Sequence, residues 1–140
     1  MIKYILHPGN YPPEINLVLL LLRFTVGAFM LVHGIDKMNK LFGDDLIKVS
    51  DPIGIGLTAS LTLTVFAEVF CSLLLIFGIA TRLASIPLLI TMLVAILIVH
   101  VNDGFGKQEL PLLYLTVYLT IIIAGAGKIS IDNCIYKKLM

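Results

Sequence analysis

The sequence predicts an all-α fold, an integral membrane four-helix bundle, and three observations predict it. The chain has 140 residues, of which 59% are hydrophobic and only 14% charged, and its mean hydropathy is +1.02. A soluble domain of this length has too little interior to hide that much apolar surface, so lipid is the expected solvent. The apolar residues also gather in four segments, at about 15–35, 57–80, 83–101 and 110–127, each near the roughly 20 residues that cross hydrocarbon as a helix. Finally, glycines, prolines and charges cluster between those segments, where a chain leaves the membrane and turns.

Before the first segment, His7, Pro8, Pro12, Pro13 and Glu14 break any short apolar core. No cleavable signal peptide is therefore expected, and the first segment should stay as an anchor. Ile15 to Ile35 is aliphatic apart from Arg23, Thr25 and His33. A polar connector, Asp36 to Gly56, follows and ends in Asp51-Pro52 and two glycines, while Lys37 to Phe42 reads as a short stretch on the membrane surface. The second segment carries Glu68, with Thr64 and Ser72 one turn to either side on the same face. Gly78 to Arg82 reads as a tight turn, with Thr81 as N-cap of the third helix and Pro87 in about its first turn. His100 ends that helix, Asn102 to Glu109 forms the next connection, and Pro111 suits the first turn of the fourth helix. Gly27, Ala28, Gly34, Ala67, Ser72, Ala95, Gly125 and Gly127 are small enough to let helices approach closely.

Four crossings place both termini on one side. Lys3, Arg82, Lys128, Lys137 and Lys138 fall there, against Lys37, Lys40, Lys48 and Lys107 opposite, so the positive-inside rule favours cytoplasmic termini. The acids Asp36, Asp44, Asp45, Asp51, Asp103 and Glu109 accumulate on the second side. A net charge of +1 argues against nucleic acid as a partner.

Arg23 and Glu68 are the first candidates for chemistry. A charge near the bilayer centre costs about 3 kcal/mol on insertion scales and faces the bundle interior. Arg23 lies ten residues before His33 and Glu68 eleven after Leu57, so an antiparallel hairpin ending at those residues sets both roughly 15 Å below one face. They are expected to form a buried polar pair. That pair reads either as a structural lock between two helices or as a ligand anchor or proton acceptor. The second group is His33, Lys37, His100 and Glu109, with Asp36 and Asp103 beside them at the same face. They suit a metal site, a proton-exchanging pair or a head-group pocket for a quinone carbonyl; the alternative is an ordinary interface. Tyr114 and Tyr118, four residues apart, read as interface-facing aromatics. Cys71 and Cys134 form no C-x-x-C and fall on different levels, so neither a disulfide relay nor a zinc or iron–sulfur site is expected, and no metal is assigned.

These positions form a pattern. Arg23-x-x-x-Gly27 leads to His33-Gly34-x-x-Lys37, then Glu68, Gly78-x-x-Thr81-Arg82, His100 and Glu109, and Gly125-x-Gly127-Lys128-x-Ser130-x-Asp132 closes it. From Leu20 to Asp132 the chain resembles the DoxX family of small bacterial membrane proteins. The resemblance implies one such domain over 1–140, four transmembrane helices, and cytoplasmic termini in the bacterial inner membrane. It also implies redox association, since the family takes its name from a terminal-oxidase-associated protein. One branch is linked to thiosulfate:quinone oxidoreduction, and other members are tied to membrane thiol redox complexes. Without paired cysteines or a flavin or nucleotide fingerprint, the expected role is a subunit or accessory factor of a redox assembly, with quinone as candidate cofactor. The expected partners are the lipid bilayer and other membrane or redox proteins. A salt bridge from Arg82 to Asp132 is expected to tie the tight turn to the C-terminal segment. The alternative is a non-catalytic scaffold, or a small-solute or lipid-handling module with a structural Arg–Glu pair.

Overall fold

The computed structural model describes residues 5–43 and 51–139, so the expectations for Lys3, Asp44, Asp45 and Lys48 lie outside the described residues. Helix α1, Pro13–Phe42, is 30 residues long, or about 45 Å. Pro13 and the extended Pro12 start it, because a proline in the first turn gives up no helical hydrogen bond. It ends seven residues beyond the expected Ile35. Asp36, Lys37, Asn39 and Lys40 are polar but helix-compatible, and hydropathy marks the edge of the lipid slab rather than the end of a helix. The stretch Lys37 to Phe42 is therefore the last turns of α1 and not a separate surface segment.

Helix α2 runs over Leu57–Phe77. The Asp51 carboxylate fixes its entrance by accepting bonds from Gly54 N, Gly56 N and the Ser60 hydroxyl. The bond from Ser60 first, and those backbone bonds with it, hold the Asp51 carboxyl below the usual carboxylate range. Midway, Phe66–Cys71 winds as a π-helical turn that contains Glu68; such turns are rare and gather at functional sites. Gly78 closes α2 at φ 69°, a left-handed conformation that glycine adopts without strain.

Helix α3 spans Thr81–Val99 and finishes in a second π turn, Ala95–Val99. Thr81 is its first residue and not its cap. The α3 N-terminus is capped from a distance by Asp132, whose carboxylate accepts from Ala80 N at 2.7 Å and Thr81 N at 2.9 Å. That negative charge also complements the positive end of the helix dipole. Helix α4 is Phe105–Ala124. Pro111 sits in its second turn, since the helix begins at Phe105 rather than near Leu110, and Pro87 is likewise a turn deeper in α3 than expected. Gly125 and Gly127, at φ 88° and 77°, end α4 and turn the chain back under the bundle, into a final helix α5, Ile131–Leu139.

The four long helices are each long and apolar enough to cross a membrane, and this is a membrane protein. Leu17, Leu21, Phe24, Phe29, Val32, Leu97, Leu113 and Ile123 are exposed on the outside of the bundle, as lipid-facing side chains should be. The core stacks in layers that each helix contributes to, with Met30, Cys71, Leu88 and Tyr118 above Val26, Leu75, Ala84 and Ile121. Close approach of α1 to α2 depends on glycines. A Cβ at Gly27 would stand 2.7 Å from Ile76, and one at Gly34 would stand 2.8 Å from the Glu68 backbone.

Candidate functional site

The two glycine contacts fix the register of α1 on α2. Gly27 faces Ser72 and Ile76, and Gly34 faces Glu68 and Val69. Arg23 therefore lies level with Gly78, eleven residues and about 16 Å along the axis from the level of Glu68. Both side chains are buried as expected, but they do not pair. The expectation took His33 as level with Leu57; the observed register sets Gly34 beside Glu68 instead, which moves Arg23 toward the far end of the bundle.

At the end holding the termini, Arg23 is 0% exposed and donates from Nη2 to the Ile129 carbonyl at 2.7 Å. Its guanidinium lies against Gly78 so tightly that a Cβ there would collide with Nη1. Asp132, itself buried, is the countercharge that acts on it. Asn16 donates to the Tyr11 and Pro12 carbonyls and accepts from Lys128 N, while Gly127 N bonds Pro8 O and Tyr11 OH bonds Ala124 O. These bonds knot the residues before α1, the α2–α3 turn and the segment after α4. The C-terminal segment is tied to the turn as expected, but through Asp132 and backbone N–H groups. Arg82 instead reaches the Ala124 carbonyl.

At the other end, Glu68 is 2% exposed and accepts at Oε1 a 2.5 Å bond from Lys37 Nζ; the Lys37 side chain is 38% exposed. The second carboxylate oxygen, Oε2, is buried without a partner among the described residues. So are the Ser72 hydroxyl, one turn further along α2, and the Tyr118 hydroxyl on α4. Buried polar groups are normally bonded, and the termini end departs from that rule too, with Arg23 Nε and Nη1, Thr81 Oγ1 and Arg82 Nε unpaired among the described residues. Tyr118 is 0% exposed and stacks on Tyr114, ring centroids 6.0 Å apart, so neither tyrosine is the interface aromatic the sequence predicted. The Glu68 charge acts on both.

Of the remaining candidates, His100 donates from Nδ1 to Asp103 at 2.7 Å, and Lys107 lies 3.5 Å from the same carboxylate. The carboxylate can only accept while ionised, which places the proton on Nδ1. The His100 bond first, aided by the Lys107 charge, holds Asp103 below the usual carboxylate range. His33 and Glu109 are exposed on the surface. The structure thus joins Lys37 to Glu68 and His100 to Asp103, and it sets His33 and Glu109 apart from both. Sequence reasoning missed Tyr114, Tyr118 and the depth Lys37 reaches. The signal was present, because Arg23, Val26, Met30, Gly34 and Lys37 recur at helical spacing along the inward stripe of α1.

Residues 18–101 match the model of the family described as DoxX. A Haemophilus influenzae protein described as "Uncharacterized protein" is 37% identical over 75 residues, which cover 51% of this chain and 50% of that relative's length. A second Haemophilus influenzae protein with the same description is 30% identical over 135 residues, covering 84% of this chain and 90% of that protein. The Bacillus subtilis protein named "Putative oxidoreductase CatD" is 28% identical over 120 residues, covering 84% and 87% respectively. No solved structure matches the chain.

Proposed function

This chain belongs to the DoxX family, and on that premise we propose that it is a membrane-embedded subunit or accessory factor of a redox assembly, with Glu68 as its working group. The observation that carries the reading is the state of that carboxylate. It is buried in a π turn, holds one half-exposed ammonium through Oε1, and keeps Oε2 unpaired beside two other unpaired hydroxyls. Glu68 differs from Arg23, which also keeps two nitrogens unpaired, in that its one bond goes to a side chain at the bundle surface and not to the backbone. An intramembrane carboxylate with a spare acceptor is suited to a ligand head group or an exchangeable proton.

The residues present fit a quinone head group in chemical terms: the Tyr118 O–H can donate to a carbonyl and Glu68 Oε2 can accept from a hydroxyl. The oxidoreductase in the name of the Bacillus subtilis relative supports the redox association. With no flavin or nucleotide fingerprint in the sequence, electron carriers belong to partner proteins. Arg82, Lys128, Lys137 and Lys138 at the termini, against Lys37, Lys40 and Lys107 at the other end, support cytoplasmic termini in a bacterial inner membrane. His100 with Asp103 then lies at the outer end of the bundle.

The test is quinol-dependent oxygen consumption in membranes from cells whose own copy is replaced by Glu68→Gln. Loss of the protein-dependent rate at unchanged abundance is expected, and a full rate overturns the proposal. The scaffold or small-solute and lipid-handling reading draws on Arg23, whose hydrogen bond goes to the chain's own backbone. It predicts that complete loss of the protein leaves respiration unchanged.

A further inference from the structure

Building on the reading of Glu68 as the working group, we propose that it exchanges its proton with one side of the membrane only, the side where α1 ends, and does so through Lys37. The bundle interior is polar at both ends, with an apolar layer between them. Above lie the Lys37–Glu68 contact and the unpaired Glu68 Oε2, Ser72 Oγ and Tyr118 OH. Groups of this kind, buried and unpaired, are where internal water sits, and water supplies the bridges a proton follows. Lys37 links this interior to the surface of the bundle five residues before the end of α1, because its ammonium touches a carboxylate 2% exposed while its own side chain is 38% exposed.

Below, one residue from each helix closes the path: Val26, Leu75, Ala84 and Ile121, with Leu75 and Ile121 at 0% exposure. None of the four carries a group that can bind or pass a proton. Beneath them lies the polar knot of Arg23, Ile129, Asp132 and the α2–α3 turn, where Arg23 Nε and Nη1, Thr81 Oγ1 and Arg82 Nε are also buried without a partner among the described residues, so the apolar layer alone separates the two polar regions. Among the described residues, the titratable groups that Glu68 contacts or acts on are Lys37 on α1 and Tyr114 and Tyr118 on α4. Lys37 is the one cation among these.

The transfer balances in two steps. The Lys37 ammonium gives its proton along the existing bond, so an N–H bond breaks and an O–H bond forms on Glu68, leaving neutral amine and neutral carboxylic acid. The amine then takes a proton from hydronium on that side, leaving water, and the interior has gained one proton.

Proteoliposomes of known orientation, followed by infrared spectroscopy after a rapid acid pulse, test this. The Glu68 signal is the carbonyl band gained and carboxylate band lost in the wild-type protein and missing in Glu68→Gln. A pulse on the side where α1 ends should produce the signal at once, whereas a pulse on the termini side should produce it only after a protonophore is added. Lys37→Met should slow the first response about 100-fold, in line with the loss of one positioned proton carrier. Leu75→Asn, which replaces part of the apolar layer, should open the response from the termini side, and it keeps the proposal testable if Lys37→Met does not accumulate. A prompt response from the termini side in the wild-type protein overturns the one-sided route, as does an unchanged rate in folded Lys37→Met. Loss of quinol oxidation in Glu68→Gln alongside a two-sided response would leave the redox reading standing and overturn this inference alone. No Glu68 signal from either side, even with protonophore, overturns both the route and the role of Glu68 in proton exchange.

Discussion

Arg23 and Glu68 announce themselves identically, as lone charges in apolar runs, yet the fold treats them in opposite ways. Arg23 is bonded through Nη2 to a backbone carbonyl and pressed against a glycine, with Nε and Nη1 buried without a partner among the described residues. Glu68 is held by the tip of a lysine at the bundle surface, and its second oxygen holds nothing. The difference teaches that the partner, not the burial, separates a structural charge from a working one. A charge fastened to backbone is spent on the fold, whereas a charge fastened to a movable ammonium remains available.

Substitutions can break that contrast or sharpen it. The largest effect is expected at Arg23→Met, which strips the Ile129 carbonyl of its donor and leaves Asp132 buried without its countercharge. A loss of about 3–5 kcal/mol is expected, as for one partner removed from a buried charged network, read as the unfolding free energy in mild detergent. Wild-type stability in this variant would mean the knot is not the structural half. Next comes Gly78→Ala, where the new methyl would strike Arg23 Nη1 at a backbone φ of 69°. Left-handed strain of about 1–2 kcal/mol and overpacking of about 1–3 kcal/mol should together cost roughly 2–5 kcal/mol. Gly54→Ala is the matched control, since its φ is 71° but nothing lies within 4 Å of the new carbon; it should show the strain alone.

A smaller effect is expected where the two helices meet near the working charge. Gly34→Ala places a methyl 2.8 Å from the Glu68 backbone and should cost about 1–3 kcal/mol by pushing α1 away. A cysteine pair across that contact, tested for crosslinking, would show the widened gap. The smallest effect on stability should come from Glu68→Gln. The Lys37 ammonium can turn to water, so the loss should not exceed about 1 kcal/mol, even though the proposed activity disappears. A loss as large as that of Arg23→Met would erase the distinction between the two charges.

Much of the fold was legible because lipid imposes a simple rule on composition. Four apolar runs gave four crossings, and Gly78 marked the tight turn where a left-handed residue was needed. Helix ends were less legible. Lys37 and Lys40 look like a loop to any hydropathy average, yet they continue α1, and the observed register sets Gly34 beside Glu68 and unpairs Arg23 from it. The distant cap of α3 could not be read locally either, because Asp132 lies 52 residues from Ala80 and reaches it only once the chain has folded back. Tyr118 was misplaced for a related reason: four-residue spacing puts it on one face with Tyr114, but spacing does not say which face looks inward.

The bond from Arg23 to Ile129 joins residues 106 positions apart, and that gap is also an interval of time. Chains grow at about 5–20 residues per second, so the carbonyl that satisfies Arg23 is synthesised roughly 5–20 s after the arginine itself. During that interval the first helix carries a guanidinium whose eventual partner does not yet exist, at an insertion cost of about 3 kcal/mol that its aliphatic neighbours must outweigh.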